Sequence, residues 1–251
     1  MKVLQVVPSL ATEWGGPVKV VNELARALET RGALSEIVSA QGRRVGRPED
    51  VMSGIPTRLF DTGPLARVWT AHTPGLSKAL ARSISEFDLV HIQELWHYPG
   101  YVASKIARSK NVPYIVTIHG ELNEWNLQQK SLKKRIYMAA IQRRVLQRAA
   151  ALHTLTQAES DRIRQLGFKN FVEMIPNGIH LKEFEDLPVR SAFANRHPEL
   201  AGKLVVLFLG RIQQKKGLDI LARAFGNLTR TRDDVRLVVA GPEEDGTLAE
   251  V

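Results

Sequence analysis

Short runs of β-branched and aliphatic residues alternate along this chain with apolar stripes at helical spacing, and that alternation restricts the fold more than any other feature. The runs fall at 2–7, 36–40, 88–92, 113–118, 151–155 and 172–175. Several are apolar at consecutive positions, as in strands covered on both faces of a parallel sheet. Between them, Val18, Val21, Ala25 and Leu28 form a helical stripe that stops at Gly32, and Leu76, Leu80 and Ile84 form another. Thr156-Gln157-Ala158-Glu159 has the spacing of a capping box, and the helix it opens is expected to end at Gly167. Repeated β-α units of this kind build a doubly wound α/β domain.

A second β-α-β unit starts at Lys203. It comprises a strand at 204–209, a helix with Leu218, Leu221, Ala222, Phe225 and Leu228 on one face, and a strand at 235–240. The polar stretch 181–202, with Pro188 and Pro198, reads as a linker. The expected division is a first domain at 1–180, the linker at 181–202 and a second domain at 203–251. Two strands are few for an open sheet, so the second domain is expected to be incomplete.

The 251 residues, 44% hydrophobic, can supply real cores, and the absence of cysteine excludes disulfides and thiolate metal sites. The apolar run at the N-terminus is too short for a signal peptide, and no stretch reaches the roughly 18 apolar residues of a membrane span. The expected location is therefore cytoplasmic, with peripheral attachment to the inner face of the plasma membrane as an option. A net charge of +9 favours anionic partners, although a solvated basic surface would give the same number.

Four places could carry chemistry. Gly210-Arg211-Ile212-Gln213-Gln214-Lys215-Lys216-Gly217 joins a buried strand to a helix N-terminus, a place suited to an anion; Arg211 and Lys216 are the candidate cations and Lys215 the weaker one. Gly15 and Gly16, before Pro17, let backbone approach a ligand after the first strand, without the spacing of the dinucleotide fingerprint. His119-Gly120 ends the strand at 113–118, where open α/β sheets bind ligands, whereas His91 reads as packed and His97 as undecided. Gly241-Pro242-Glu243-Glu244 ends the last strand and could border the same ligand or be plain turn chemistry. No Asp-x-Asp pair and no ligand-spaced histidine cluster occurs, so no metal site is expected. Finally, a single helix is expected over 130–148. On it Lys130, Lys133, Lys134, Arg144 and Arg148 share about a third of the circumference, either as a stripe for an anionic membrane surface or as a solvated face.

In order along the chain, Trp14-Gly15-Gly16-Pro17, Val116-Thr117-Ile118-His119-Gly120, Ile175-Pro176-Asn177-Gly178-Ile179, Gly210-Arg211 through Lys216-Gly217 and Val239-Ala240-Gly241-Pro242 resemble the family 4 glycosyltransferases of the GT-B fold. The 122–148 stretch looks most like members that build bacterial surface polysaccharides. The resemblance implies two Rossmann-like domains and a nucleoside diphosphate sugar as donor substrate, with no cofactor and no metal. It implies Arg211 and Lys216 on the diphosphate, stabilising it as it leaves. Gly15, Gly16, Gly210 and Gly241 would border the donor, and His119 would position the transferred sugar. It further implies a retaining reaction and a glycan or lipid-linked acceptor, and nucleic acid is not an expected partner.

Two departures from the family pattern stand out. His180 replaces the aspartate that usually follows the Pro-Asn-Gly turn, and the paired glutamates late in the second domain fall beyond Val251. The reading is therefore of a chain truncated in its donor domain and expected to have little transfer activity by itself. The alternative is a non-catalytic fragment that binds a membrane or a partner chain.

Overall fold

The computed structural model describes residues 1–43, 45–46, 54–187, 189–243 and 246; Pro188 and Glu244 of the sequence reading lie outside these. By compactness the chain divides into Met1–Gly178 and Ile179–Val251. The first unit runs β1 (Lys2–Ser9), α1 (Gly16–Glu29), β2 (Leu34–Gln41), β3 (Thr57–Asp61), α2 (Leu76–Ser83), β4 (Leu89–Gln93), α3 (Tyr98–Ser109) and β5 (Tyr114–Thr117). It continues with α4 (Glu124–Gln128), α5 (Ser131–Tyr137), a widened helical turn (Met138–Gln142), α6 (Arg143–Gln147), β6 (Ala151–Thr154), α7 (Gln157–Gln165) and β7 (Phe171–Met174). The strands form one parallel sheet in the order β3-β2-β1-β4-β5-β6-β7.

Side chains alternate across a strand, so β1 and β2 each feed two cores. Leu4, Val6, Val90, Ile92, Tyr114, Val116 and Leu152 face one way and pack with Leu80 of α2, Ala103 of α3, Leu146 of α6 and Ile163 of α7, all buried. Val7 and Ile37 face the other way, against Val21 and Ala25 of α1. Fully burying side chains of this size contributes about 1.5–3 kcal/mol each, which makes the apolar register the main determinant of the sheet. The capping box is formed: Thr156 Oγ1 accepts from the Glu159 amide at 3.3 Å, and Glu159 Oε2 accepts from the Leu155 amide at 2.7 Å. Gly167 follows α7 at φ 81°, a left-handed stop.

The basic helix expected over 130–148 runs from Ser131 to Gln147 as α5, the widened turn at Met138–Gln142 and α6 in unbroken succession, and Lys130, left-handed at φ 50°, lies before its start. A widened turn holds an extra residue, so the 100° wheel loses phase and Arg144 no longer lines up with Lys133.

The second unit contains α8 (Arg190–Arg196), β8 (Leu204–Leu209), α9 (Leu218–Leu228) and β9 (Val235–Ala240), with β8 and β9 parallel. The stretch read as a linker carries helical turns at Leu181–Phe184, α8 and Pro198–Leu200. At the carboxyl ends of the strand pair the backbones nearly touch: a Cβ on Gly241 (φ 149°) would lie 1.8 Å from the Gly210 carbonyl oxygen. Gly241→Ala should therefore cost about 2 kcal/mol or more, because backbone must move to admit the methyl group. The check is amide hydrogen exchange, in which β8 and β9 should lose protection while β1 and β4 keep theirs.

Candidate functional site

β1 and β4 lie side by side, yet α1 and α3 leave them toward opposite faces of the sheet. A crevice opens at such a switch point, beyond the carboxyl ends of the strands. The loops after β1 and β4 meet there, because Trp14 Nε1 donates to Glu94 Oε2 at 2.7 Å. Gly15, at φ 78°, turns the first of these loops into α1, and a Cβ on Gly16 would meet nothing within 4 Å. Packing alone therefore does not require glycine at 16.

Three non-glycine residues at the ends of β4 and β5 are left-handed: Glu94 (φ 66°), Trp96 (φ 63°) and His119 (φ 51°). Such conformations cost on the order of 1 kcal/mol each and persist only where the surroundings enforce them. Enforcement comes from side chains. The Leu95 amide donates to the Glu121 carboxylate, the Trp96 amide donates to Gln142 Oε1 at 3.2 Å, and the Gln142 side chain is buried.

His119 sits at the end of a buried polar chain. Gln93 Nε2 donates to Gln5 Oε1 at 3.0 Å, so Gln93 Oε1 is left to accept from His119 Nε2–H at 2.9 Å. This fixes the tautomer and leaves Nδ1 as an acceptor for a hydroxyl. Burial, helped by the neighbouring His153, lowers the His119 pKa to about 4, so the ring is neutral near pH 7.

The other histidines do structural work. His97, also pushed down to about 4 by burial, caps α3: its Nδ1 accepts from the Gly100 amide at 3.0 Å and its Nε2–H donates to the Gln93 carbonyl at 2.9 Å. His91 is buried within β4, as the sequence suggested, and its pKa falls to about 3. It donates to Thr117 Oγ1 at 2.7 Å, which donates to His153 Nδ1 at 2.8 Å, while His153 Nε2–H donates to the Ile175 carbonyl at 2.8 Å.

In the second unit, the Gly210 amide donates to the Ala240 carbonyl at 2.9 Å and the Ile212 amide to the Pro242 carbonyl at 2.8 Å. Ile212 and Leu218 are buried and anchor the turn between them, leaving Arg211, Lys215 and Lys216 exposed. Gly217, left-handed at φ 68°, starts α9 and puts its N-terminal amides beside Lys216. The cations and the helix N-terminus make this turn electropositive. Among the described residues, no group of three or more His, Asp or Glu side chains is placed to hold a metal ion.

The sequence reading named Gly15, Gly16 and His119 but missed Gln5, Gln93, Glu94 and Glu121, which hold them. Trp14 stood within the quoted motif, but its partner lies 80 residues away. Three buried, neutral histidines also predict a pH effect on stability. Their folded pKa values lie below the ordinary 6.5, so protons bind the unfolded chain first as pH falls. Their stabilising contribution is whole above about pH 6.5 and declines below it, to about pH 4 for His97 and His119 and to about pH 3 for His91. Urea midpoints should accordingly be lower at pH 5 than at pH 7.5.

Residues 15–178 match the model of the glycosyl transferase 4-like domain, and residues 189–250 match that of glycosyl transferases group 1. A D-inositol 3-phosphate glycosyltransferase of Xylanimonas cellulosilytica is 30% identical over 248 residues, covering 90% of this chain and 58% of that relative. The chain thus spans about three fifths of the length of the curated relatives it matches. Among solved structures, Anabaena HepE in complex with UDP and glucose superposes with a TM-score of 0.70 at 18% identity, covering 99% of this chain and 63% of that one. Sucrose-phosphate synthase of Thermosynechococcus elongatus gives a TM-score of 0.71 at 16% identity, covering 98% and 63%. These similarities, and the β-α order that underlies them, establish that the chain belongs to the GT-B glycosyltransferases, with a glycosyl transferase 4-like domain at residues 15–178.

Proposed function

We propose that this chain belongs to an enzyme that moves a sugar from a nucleoside diphosphate sugar to a glycan or lipid-linked acceptor, with retention and without a metal. The observation that carries the reading is the Gly210–Gly217 turn: exposed Arg211 and Lys216 beside the N-terminus of α9 suit a diphosphate. The UDP and glucose in the HepE complex support the same donor class.

In the proposed reaction, the bond from the sugar's anomeric carbon to the diphosphate breaks and the diphosphate takes the electron pair. The acceptor hydroxyl bonds to the same carbon and passes its proton to a phosphate oxygen. Arg211 and Lys216 neutralise the charge that grows on the leaving group, an interaction stronger in the transition state than in the ground state. His119, neutral and tautomerically fixed, receives a hydrogen bond from a hydroxyl of the sugar. Gly15, Gly16, Gly210 and Gly241 leave room beside the donor. The membrane-surface reading of the basic helical segment belongs to this proposal as the place where a lipid-linked acceptor would be met. So does a cytoplasmic location; among the described residues, no helix is long and apolar enough to cross a membrane.

A second acceptor reading is an inositol phosphate, favoured by the 30% identity to a D-inositol 3-phosphate glycosyltransferase. Offering inositol phosphate and lipid-linked acceptors in parallel separates the two.

Calorimetric titration with UDP and GDP tests the donor site. Arg211→Ala and Lys216→Ala should each weaken binding by roughly tenfold, in line with about 1.5 kcal/mol for a charge-assisted contact, and chelation with EDTA should change nothing. Gly16→Ala should leave the melting temperature unchanged while weakening the binding of a UDP-sugar. Unaltered nucleotide affinity in both cation variants would refute the diphosphate assignment.

A further inference from the structure

The basic helix borders an apolar groove that none of the residues assigned to the donor lines. Leu65 and Val68, in the loop after β3, are 58% and 68% exposed, and Leu132 and Ile136 of α5 are 70% and 61% exposed. Between Val68 and Ile136 lies a groove of about 650 Å³, walled by Trp69, Trp96, Tyr137 and Ile141. Its aromatic floor is fixed: Trp69 packs edge-on against Tyr98 at 5.0 Å, and its N–H donates to the Tyr137 hydroxyl at 2.9 Å. The Lys133 ammonium donates to the Val68 carbonyl at 2.9 Å and ties the loop to the helix, while Lys134 lies over the Trp96 ring at 5.6 Å.

Charge frames the groove. Lys130, Lys133 and Lys134 line its rim, and Lys105, Arg108 and Arg144 line a neighbouring hollow of about 330 Å³ that shares Ala140 and Ile141 with it. Among the described residues, no carboxylate lines either space. The complement of such a surface is an amphiphile with an apolar tail and an anionic head. Tryptophan and tyrosine suit the depth where hydrocarbon meets headgroup. Nucleic acid fits less well, since the most exposed apolar side chains here, Leu65, Val68, Leu132 and Ile136, are aliphatic, and the rings are half-buried within the groove.

We propose that this groove docks an anionic phospholipid of a membrane, with an acyl chain entering between Val68 and Ile136 and Lys130, Lys133 and Lys134 meeting the phosphate. The proposal rests on the membrane-surface reading above, and it replaces an adsorbing charged stripe by a built groove.

Co-sedimentation with vesicles of equimolar phosphatidylglycerol and phosphatidylcholine tests it, with pure phosphatidylcholine as the control and circular dichroism to verify folding. The protein should bind the anionic vesicles, and phosphatidylglycerol brominated on its acyl chains should quench Trp69 and Trp96. Leu132→Ser with Ile136→Ser keeps every charge and should weaken partitioning by roughly tenfold or more. Lys133→Gln with Lys134→Gln should weaken it and flatten its salt dependence. Binding that survives the serine pair, without bromine quenching, overturns the groove and leaves surface adsorption standing. No binding of wild-type protein to anionic vesicles overturns both readings. Self-association that the serine pair abolishes, in place of vesicle binding, assigns the groove to a second copy of the chain and also overturns the lipid proposal.

Discussion

The parallel pairing of β1 with β4 is the constraint on which the first unit depends. Val3, Leu4, Gln5 and Val6 of β1 stand opposite Leu89, Val90, His91 and Ile92 of β4, although more than 80 residues separate them in the chain. Leu4, Val6, Val90 and Ile92 put this pair into the larger core, and α1 covers the opposite face of β1. Closing a loop of that length carries an entropic cost that grows only slowly with length, and the apolar burial on both faces offsets it. Once the pair forms, the chain must leave β1 and β4 in opposite directions, and the crevice at their ends follows from topology.

Polar contacts then fix the side chains at the ends of these strands. Gln5, Gln93 and His119 join β1, β4 and the end of β5 in one chain of hydrogen bonds, and Trp14 with Glu94 closes the loops above it. Buried amides of this kind hold position strongly, because a lost partner leaves a desolvated donor or acceptor. The left-handed residues Glu94, Trp96 and His119 show the price of this arrangement in local strain. A neutral histidine with a defined acceptor nitrogen is what the arrangement provides.

Much of the fold was legible from pattern. The bounds of β8, α9 and β9 agree with the pattern, and the strands of the first sheet differ from it by two or three residues at most where they were seen. β3 was not seen, being five residues long and carrying Arg58 and Asp61. α3 was not seen because its start reads Tyr98-Pro99-Gly100 and most of its residues are buried, which erases the amphipathic stripe. Proline is tolerated there in the first turn, and His97 supplies the cap. The helix itself was legible, but the charged stripe on it misled, because a wheel assumes uniform geometry and one widened turn inside the helix shifts the phase. In the site, glycines and a strand-end histidine announce themselves locally. Their partners do not, because Gln5 with Gln93 and Trp14 with Glu94 are pairings across 88 and 80 residues.

The central claim is that the turn between β8 and α9 holds the diphosphate of a sugar nucleotide. Titrating 15N-labelled protein with UDP and following amide shifts tests it most directly. The account predicts saturable changes concentrated at Gly210, Arg211, Lys216 and Gly217 and in the first turn of α9, with β3 and α7 unmoved. Saturable changes elsewhere that leave the Gly210–Gly217 amides unshifted would contradict it.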